Sequence, residues 1–372
     1  MVEYMKKQTE ITNNQLTYSL IAIVIGSGIL SLPKTVAEQG YQDGWIIVLL
    51  GSFIPLLSIF SIILLFKRFP GYEFFDICKF LLGKYLGRGL YFLYILYGLI
   101  FGVTSISVFT SVLNTYILPK TPNIVIFILM IAVSLYIING GIKVVVRFNE
   151  LTFYIFLILL FFIIPSLKQV EPTFMFPVFT TPVMDLLSGS LQTSWSFVGF
   201  EYLLILYPFV KNKEKAVSSS LFAFFIVTAI YVYVVIVCNL IFGPYAIKNY
   251  IWPVLVLLKV TDILVIERLE FFFILLWVGI AIRPMLNQLY STSYLISNLF
   301  GIKKLATASM IGALAMFIIQ YISNTTLKSF KLSNFFGTTG LIFGTAIPVL
   351  LLLLSYIFKK RVKNVQSKKS LA

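Results

Sequence analysis

The sequence predicts an all-α membrane protein that crosses the bilayer ten times. Hydrophobic residues make up 59% of the 372 residues and charged residues only 12%, whereas soluble domains carry about 25% charged residues. Ten windows are apolar enough, at about 20 residues each, to cross a membrane. Small residues interrupt the first and the sixth of these windows. We therefore expect a polytopic helical bundle in which two spans are broken.

The ten spans follow one another along a single membrane domain, 1–372, which ends in a basic tail at 359–372. Apolar windows place them at about 16–39, 45–66, 90–117, 122–140, 150–167, 185–208, 216–243, 268–298, 305–323 and 338–358.

Basic residues predict the orientation of the bundle. Segments on the same side as the N-terminus hold 20 of the 29 Lys and Arg residues. Because positively charged loops mark the cytoplasmic side, we expect both termini in the cytoplasm. The net charge of +15 is then a property of these loops, and we expect the lipid bilayer, and no nucleic acid, as a partner.

The side-chain inventory excludes several kinds of chemistry. The chain has no His, and Cys78 and Cys238 lie far apart without the spacing of a metal site. It also lacks the phosphate-binding motif G-x-x-x-x-G-K-[S/T]. We expect no metal, no cofactor and no enzymatic activity.

Two connections are predicted to form helices of their own. The stretch 67–89 alternates apolar and basic residues, which is typical of a helix lying on the cytoplasmic interface. The stretch 250–258 is apolar but too short to cross. We interpret it as a short helix or lid packed over the outer side of the bundle.

The first span is interrupted by Gly26-Ser27-Gly28-Ile29, with Pro33 following. Glycine permits unusual backbone angles, and proline lacks an N–H donor and disfavours a helical conformation at the residue before it. A helix that breaks inside a membrane must turn its free N–H and C=O groups toward protein, water or a ligand. The alternative is a notch of small residues where two helices pack.

The sixth span carries a matching interruption at Ser196, Phe197, Val198, Gly199 and Glu201. Broken helices at corresponding places in two halves of a chain indicate a substrate cavity near mid-membrane. Half-helix ends present N–H dipoles to anions and C=O dipoles to cations. An amino acid zwitterion would satisfy both.

Glu201 and Arg283 are charged residues that lie well inside the sixth and eighth spans. Charge is costly at such positions and indicates a function by default. Glu201 has three interpretations: it binds a ligand ammonium, carries a proton, or pairs with a basic neighbour. Arg283 has either a charge or gating role, or a structural one as an ion pair or backbone clamp.

Polar side chains from the third and eighth spans are candidates for the cavity wall. Aromatic rings with polar tips would cover a small solute while their hydroxyls bind it, and helix packing is the alternative for each of them. The candidates are Tyr97 and Thr104 on the third span and Asn287 and Tyr290 on the eighth. Trp195 and Trp277 are candidate gates.

Four motifs together resemble the B subunits of nutrient germinant receptors of endospore-forming bacteria, the spore permease branch of the amino acid–polyamine–organocation superfamily. They are Thr12-Asn13-Asn14-Gln15-Leu16, Gly26 to Pro33, Phe69-Pro70-Gly71 and Ser196 to Glu201. The resemblance implies a five-plus-five inverted repeat, with repeats at about 12–167 and 185–358 and with spans one and six unwound around a pocket.

The resemblance also implies a function and a setting. We expect the pocket to recognise a small germinant, with an amino acid as the leading class, in the spore inner membrane. The implied partners are a larger A subunit and a lipoprotein C subunit. The alternatives are a proton-coupled amino acid transporter using the same pocket and a structural anchor for the receptor complex. For a proton-coupled permease, the resemblance implies a Lys in the middle of the fifth span as the charge carrier. The fifth span has no charged residue between Leu151 and Pro165, and this absence favours sensing over pumping.

Overall fold

Helices account for the ten predicted spans. The computed structural model describes residues 10–261, 269–323 and 339–358, so the predicted basic tail at 359–372 lies outside the described residues. The helices are α1 (Asn13–Val24), α2 (Gly28–Gly40), α3 (Gly44–Arg68), α4 (Phe74–Tyr116), α5 (Asn123–Asn139), α6 (Ile142–Phe161), α7 (Val183–Thr193), α8 (Leu203–Leu206), α9 (Ala216–Ile247), α10 (Pro253–Lys259), α11 (Leu269–Phe300), α12 (Leu305–Ile322) and α13 (Ile347–Ile357).

Within the described ranges, seven helical stretches are long and apolar enough to cross a membrane. The remaining predicted spans correspond to shorter pieces. Span one is divided between α1 and α2, span four is the 17-residue α5, and span six is divided between α7 and the short helical segment Phe200–Phe209. The prediction of a polytopic helical bundle with two broken spans is confirmed.

The first helix begins at a capping box. The Thr12 hydroxyl accepts a hydrogen bond from the Gln15 N–H at 3.2 Å, and the Gln15 side chain accepts one from the Thr12 N–H at 3.0 Å. Two N–H groups at the start of α1 are thereby satisfied.

The predicted interface helix is shorter than the sequence indicated and continues into span three. Lys67 and Arg68 end α3, and the next helix begins at Phe74. A positive φ of 83° at Gly83 breaks α4 into an amphipathic first segment and the third span. At the corner the two segments touch through backbone, because a Cβ on Gly87 would lie 2.6 Å from the Cys78 carbonyl oxygen.

The fifth span begins earlier than predicted. Helix α6 starts at Ile142 and ends at Phe161, because Lys143 and Arg147 lower the hydropathy of its first two turns without preventing helix formation. Residue Glu150, at which the predicted span 150–167 began, therefore lies in the interior of the helix.

The predicted short outer helix is present as α10. It packs against α2, α9 and α11, and one side of it is buried through Val254, Leu255, Leu257 and Leu258. It covers the second half of span one.

Each of the first four spans contacts its counterpart five spans later. The contacting pairs are α2 with α7, α3 with α9, α4 with α11, and α5 with α12. At one end of the bundle, the Ile11 N–H donates to the Phe209 carbonyl at 2.9 Å. At the other end, the Thr181 hydroxyl donates to the Gly40 carbonyl at 3.0 Å. Spans one and six therefore lie side by side and antiparallel.

A buried carboxylate positions the start of span six. Asp43 is fully buried and accepts hydrogen bonds from the backbone N–H groups of Phe179, Thr180 and Thr181 at 2.8 to 3.0 Å. Hydrogen bonds to an ionised acceptor are about twice as strong as neutral ones. The loop before α7 is thus attached to the loop after α2.

The corner of α4 gives a testable prediction. We expect Gly87→Val to lower the thermal midpoint of the purified protein, because its side chain would overlap the Cys78 carbonyl and overpacking costs about 1–3 kcal/mol. Gly89→Val is the matched control, since a Cβ there meets nothing within 4 Å. Equal midpoints for the two variants in a fluorescence-detected unfolding experiment would contradict the described corner.

Candidate functional site

The break in span one lies at 25–27. Helix α1 ends at Val24 and α2 begins at Gly28, and Pro33, which we expected to contribute to the break, lies inside α2. Gly26 is needed for close packing, because a Cβ there would lie 2.8 Å from Cγ of Pro284 on α11. Span eight therefore presses directly against the break.

The break in span six lies at Val198 and Gly199. Val198 is extended, and Gly199 has a φ of 132°, a region that favours glycine. A Cβ on Gly199 would also lie 3.0 Å from Cγ2 of Val24 and 3.1 Å from Cγ2 of Ile23. The second break therefore contacts the last turn of α1, directly before the first break.

One tyrosine hydroxyl joins the two breaks. The Tyr231 oxygen on α9 lies 3.2 Å from the Val24 carbonyl and 2.9 Å from the Ser196 carbonyl. Buried carbonyls without a hydrogen bond are costly. Tyr231 thus stabilises the end of α1 and the last turn before the second break. No sequence feature separates it from the other tyrosines.

Arg283 holds the carbonyl of the first break. It is completely buried; its Nη2 donates to the Ile25 carbonyl at 3.2 Å and its Nε to the Ile280 carbonyl at 3.2 Å. No carboxylate oxygen of the described residues lies within 4.0 Å of the guanidinium. Of its two structural interpretations, the geometry fits the backbone clamp and not the ion pair.

Asn287 extends this clamp to span five. Its side-chain amide donates to the Arg283 carbonyl at 2.9 Å, and its oxygen accepts from the Asn149 amide at 2.8 Å. Asn149 also donates to the Ser19 hydroxyl at 3.2 Å. The network connects spans one, five and eight. Asn149 was not among the predicted site residues, although it is a lone amide beside an apolar window.

A cavity of about 440 Å³ lies where the two breaks meet. Six of the predicted site residues line it: Gly26, Ser27, Gly28, Thr104, Ser196 and Val198. The rest of its wall consists of Ile23, Val24, Phe101, Ser105, Val108, Trp195 and Pro284.

The cavity combines apolar walls with a few polar groups. The Ser196 hydroxyl is buried and has no hydrogen-bond partner among the described residues. The hydroxyls of Ser27 and Thr104 donate to the carbonyls of Ser105 and Ile100 at 3.1 and 2.8 Å, so their lone pairs stay available. The first N–H groups of a helix have no acceptor within it, and α2 begins at this cavity.

Several predicted residues lie away from this cavity. Ile29 and Trp277 line a separate apolar cavity of about 250 Å³ beneath α10, and Asn287 belongs to the clamp. Phe197 and Glu201 line a third cavity, of about 240 Å³. The remaining predicted residues, Tyr97, Gly199 and Tyr290, are not part of the 440 Å³ cavity wall.

Glu201 bonds to span three and to the second break. The Tyr97 hydroxyl donates to its Oε1 at 2.5 Å, and the Gly199 N–H donates to its Oε2 at 2.8 Å. No Lys or Arg nitrogen of the described residues lies within 4.0 Å of the carboxylate. The carboxylate therefore takes part in holding the broken backbone of span six.

Comparisons with known proteins decide the family. A family model described as "Spore germination protein" matches residues 10–328. The chain belongs to this family. It is a multi-pass membrane protein with the spore permease fold.

Relatives within the family align along nearly their whole length. Spore germination protein YndE of Bacillus subtilis (strain 168) is 28% identical over 355 residues, which cover 93% of this chain and 96% of YndE. Spore germination protein GerQB of Bacillus cereus is 26% identical, with 92% and 95% covered. Spore germination protein B2 of Bacillus subtilis (strain 168) is 26% identical, with 95% and 98% covered.

Solved structures share the fold. Mhp1, a nucleobase-cation-symport-1 family transporter, superposes with a TM-score of 0.62 at 11% identity over 96% of both chains. A Na⁺-coupled sialic acid symporter superposes with a TM-score of 0.58 at 11% identity over 94% of both. The helical arrangement of this spore germination protein is thus the LeuT-like arrangement of the symporters.

The Tyr231 contact gives a prediction for this site. We expect Tyr231→Phe to destabilise the protein by about 1–3 kcal/mol, because it removes the hydroxyl hydrogen that the buried Val24 and Ser196 carbonyls share. Tyr233→Phe, a change at a half-buried position on the same helix, is the control and should have little effect. Thermal unfolding in detergent measures both, and a fully stable Tyr231→Phe would contradict the role given to the hydroxyl.

Proposed function

We propose that this chain is the membrane subunit of a germinant receptor and binds a small nutrient in the cavity between its broken spans. The observation that carries the proposal is that both breaks, at 25–27 and at 198–199, border one cavity of about 440 Å³. Membership of the spore germination protein family supports a role in germination.

An amino acid fits the chemistry of this cavity. None of its lining residues is charged, so an ionic ligand must be bound by backbone dipoles and hydroxyls. The N-terminal end of α2 suits a carboxylate. The hydroxyl and carbonyl oxygens of Ser196 and the hydroxyl oxygen of Thr104 suit an ammonium group, and Phe101, Val108 and Trp195 form an apolar wall for a side chain.

We propose that the protein lies in the spore inner membrane, with both termini in the cytoplasm. We propose that the subunit works with an A subunit and a lipoprotein C subunit, in keeping with the germination proteins among its relatives. A ligand shifts a conformational equilibrium only if it binds one state more tightly. Nutrient in the cavity would favour one arrangement of the two breaks, and the partner subunits would detect the change.

Transport of an amino acid is the second candidate, and the fold supports it because Mhp1 and the sialic acid protein are symporters. A stretch of span five without charged residues, Leu151 to Pro165, removes the obvious site for a coupling proton. A structural anchor without a ligand is the third.

Reconstitution separates these three functions. The purified chain is placed in proteoliposomes and screened with radiolabelled amino acids, sugars and nucleosides. Saturable binding without accumulation is expected for a receptor. Accumulation against a gradient would indicate a transporter. If the chain shows no binding and no accumulation, the structural anchor is the function that remains.

Gly28 provides a variant for the binding measurement. A Cβ on Gly28 would lie 3.7 Å from Cη2 of Trp195, so Gly28→Val points its side chain into the cavity. We expect the Kd for the nutrient to rise at least about tenfold, a loss of roughly 1.4 kcal/mol, while the protein stays folded. Gly279→Val is the control, because a Cβ at Gly279 meets nothing within 4 Å. An unchanged Kd for folded Gly28→Val would contradict the assignment of the pocket.

A further inference from the structure

A second cavity lies on the other side of the break in span six, between spans two, six and ten. Its volume is about 240 Å³, and it is separate from the proposed nutrient site, although Val198 borders both. Its wall consists of Ile54, Pro55, Ser58, Ser194, Phe197, Val198, Phe200, Glu201, Gly340, Leu341, Gly344 and Thr345.

The polar side chains of this cavity offer oxygen lone pairs. Ser58 donates its hydrogen to the Gly344 carbonyl, and Ser194 donates to the Leu191 carbonyl at 2.5 Å. Thr345 has only a long contact of 3.5 Å to the Ile54 carbonyl. Two of the three hydroxyls therefore have their hydrogens committed elsewhere, and each retains acceptor capacity.

Glu201 adds a carboxylate to these hydroxyls. Glu201 is only 6% exposed, and no basic side chain of the described ranges lies within 4.0 Å of its carboxylate. A carboxylate removed from water without a positive partner is strongly disfavoured. The two hydrogen bonds from Tyr97 and Gly199 leave further lone pairs on both of its oxygens.

A π-helical turn and a glycine bring the backbone of span ten close to this carboxylate. Residues Ile342–Ala346 form a widened π-helical turn, a feature that is frequent at functional sites. A Cβ on Gly344 would lie 3.2 Å from Oε2 of Glu201. The glycine therefore brings backbone close to the carboxylate where any other residue would crowd it.

We propose that this cavity binds a monovalent alkali cation, Na⁺ or K⁺, with Glu201, Ser58 and Thr345 among its ligands. One carboxylate balances one positive charge, and neutral hydroxyl oxygens complete a shell for a hard cation. Mg²⁺ retains most of its water, and Ca²⁺ takes six to eight oxygen ligands, so a single carboxylate favours the monovalent ions.

Cation binding would stabilise the broken backbone of span six. The same carboxylate accepts the Gly199 N–H, and Gly199 contacts Val24 in span one. The bound ion would fix Glu201 and thereby the geometry of both breaks. This inference does not depend on the proposed nutrient, because it concerns the protein before any nutrient binds.

Thermal unfolding of the purified full chain in nanodiscs tests the proposal. Protein is titrated with NaCl or KCl at constant total ionic strength, with choline chloride as the balancing salt. We expect at least one of the two cations to raise the midpoint by about 2 °C or more at saturation, since a ligand that binds only the folded state stabilises it. The two titrations identify which cation binds.

Variants assign the effect to this cavity. Thr345→Val and Glu201→Gln should each reduce the cation-dependent shift by more than half. Ser61→Ala is the matched control, because Ser61 is a buried serine on the same helix as Ser58 that bonds to the Leu57 carbonyl and does not line the cavity. Its shift should equal that of the unchanged protein.

Two results would overturn the cation site. The first is an identical midpoint of the unchanged protein in NaCl, KCl and choline chloride. The second is a full shift in Glu201→Gln, which would place the responsible site elsewhere. Nutrient binding by a protein that fails this test would leave the proposed function intact.

Discussion

The structure depends on how backbone groups are satisfied where two membrane spans stop being helical. In hydrocarbon each unsatisfied N–H or C=O costs several kcal/mol, so the breaks can exist only if other parts of the protein supply partners. Span seven provides the Tyr231 hydroxyl for both breaks, and span eight provides the Arg283 guanidinium for the first. Glu201 binds the N–H of Gly199 in the second. The spans around the breaks are therefore donors and acceptors for them as well as packing partners.

Hydrogen bonding stays incomplete at the cavity. The first turn of α2 has N–H groups without acceptors in its own helix, and the buried Ser196 hydroxyl has no partner in the described part of the chain. A polar solute or a water molecule in the cavity can supply the hydrogen-bond partners that these groups lack. On the far side of span six, the lone pairs around Glu201 present the opposite chemistry, which suits a cation. The break at Val198 and Gly199 thus separates a proposed site for a small nutrient from a proposed site for an ion, and either occupant acts on the same piece of backbone.

Much of the fold was predictable, because hydropathy and small residues act locally. Ten spans, the two broken ones, the helix at 253–259 and the family itself are confirmed. Boundaries were less predictable where basic residues lie on helices, as Lys143 and Arg147 do on α6. Five of the six candidate residues that line the cavity were found because glycine, serine and threonine mark the breaks and the neighbouring span, and Val198 was found because it lies within the second break. The sequence could not show that Tyr97 bonds to Glu201 or that Asn287 bonds to Asn149, because both contacts join spans far apart in the chain. Tyr231 was missed for the same reason, and ligand binding by the candidates stays a prediction.

Hydrogen exchange of backbone amides, measured at single-residue resolution on the purified chain in nanodiscs, tests the central claim most directly. We expect the N–H groups of Gly26, Ser27 and Gly28 to exchange at least about a hundredfold faster than those in the middle of helix α9, because they lie outside helical hydrogen bonding. We also expect a saturating concentration of nutrient to slow the exchange of these N–H groups. Exchange at these three positions as slow as in α9 would show that span one crosses as a continuous helix, and would contradict the account.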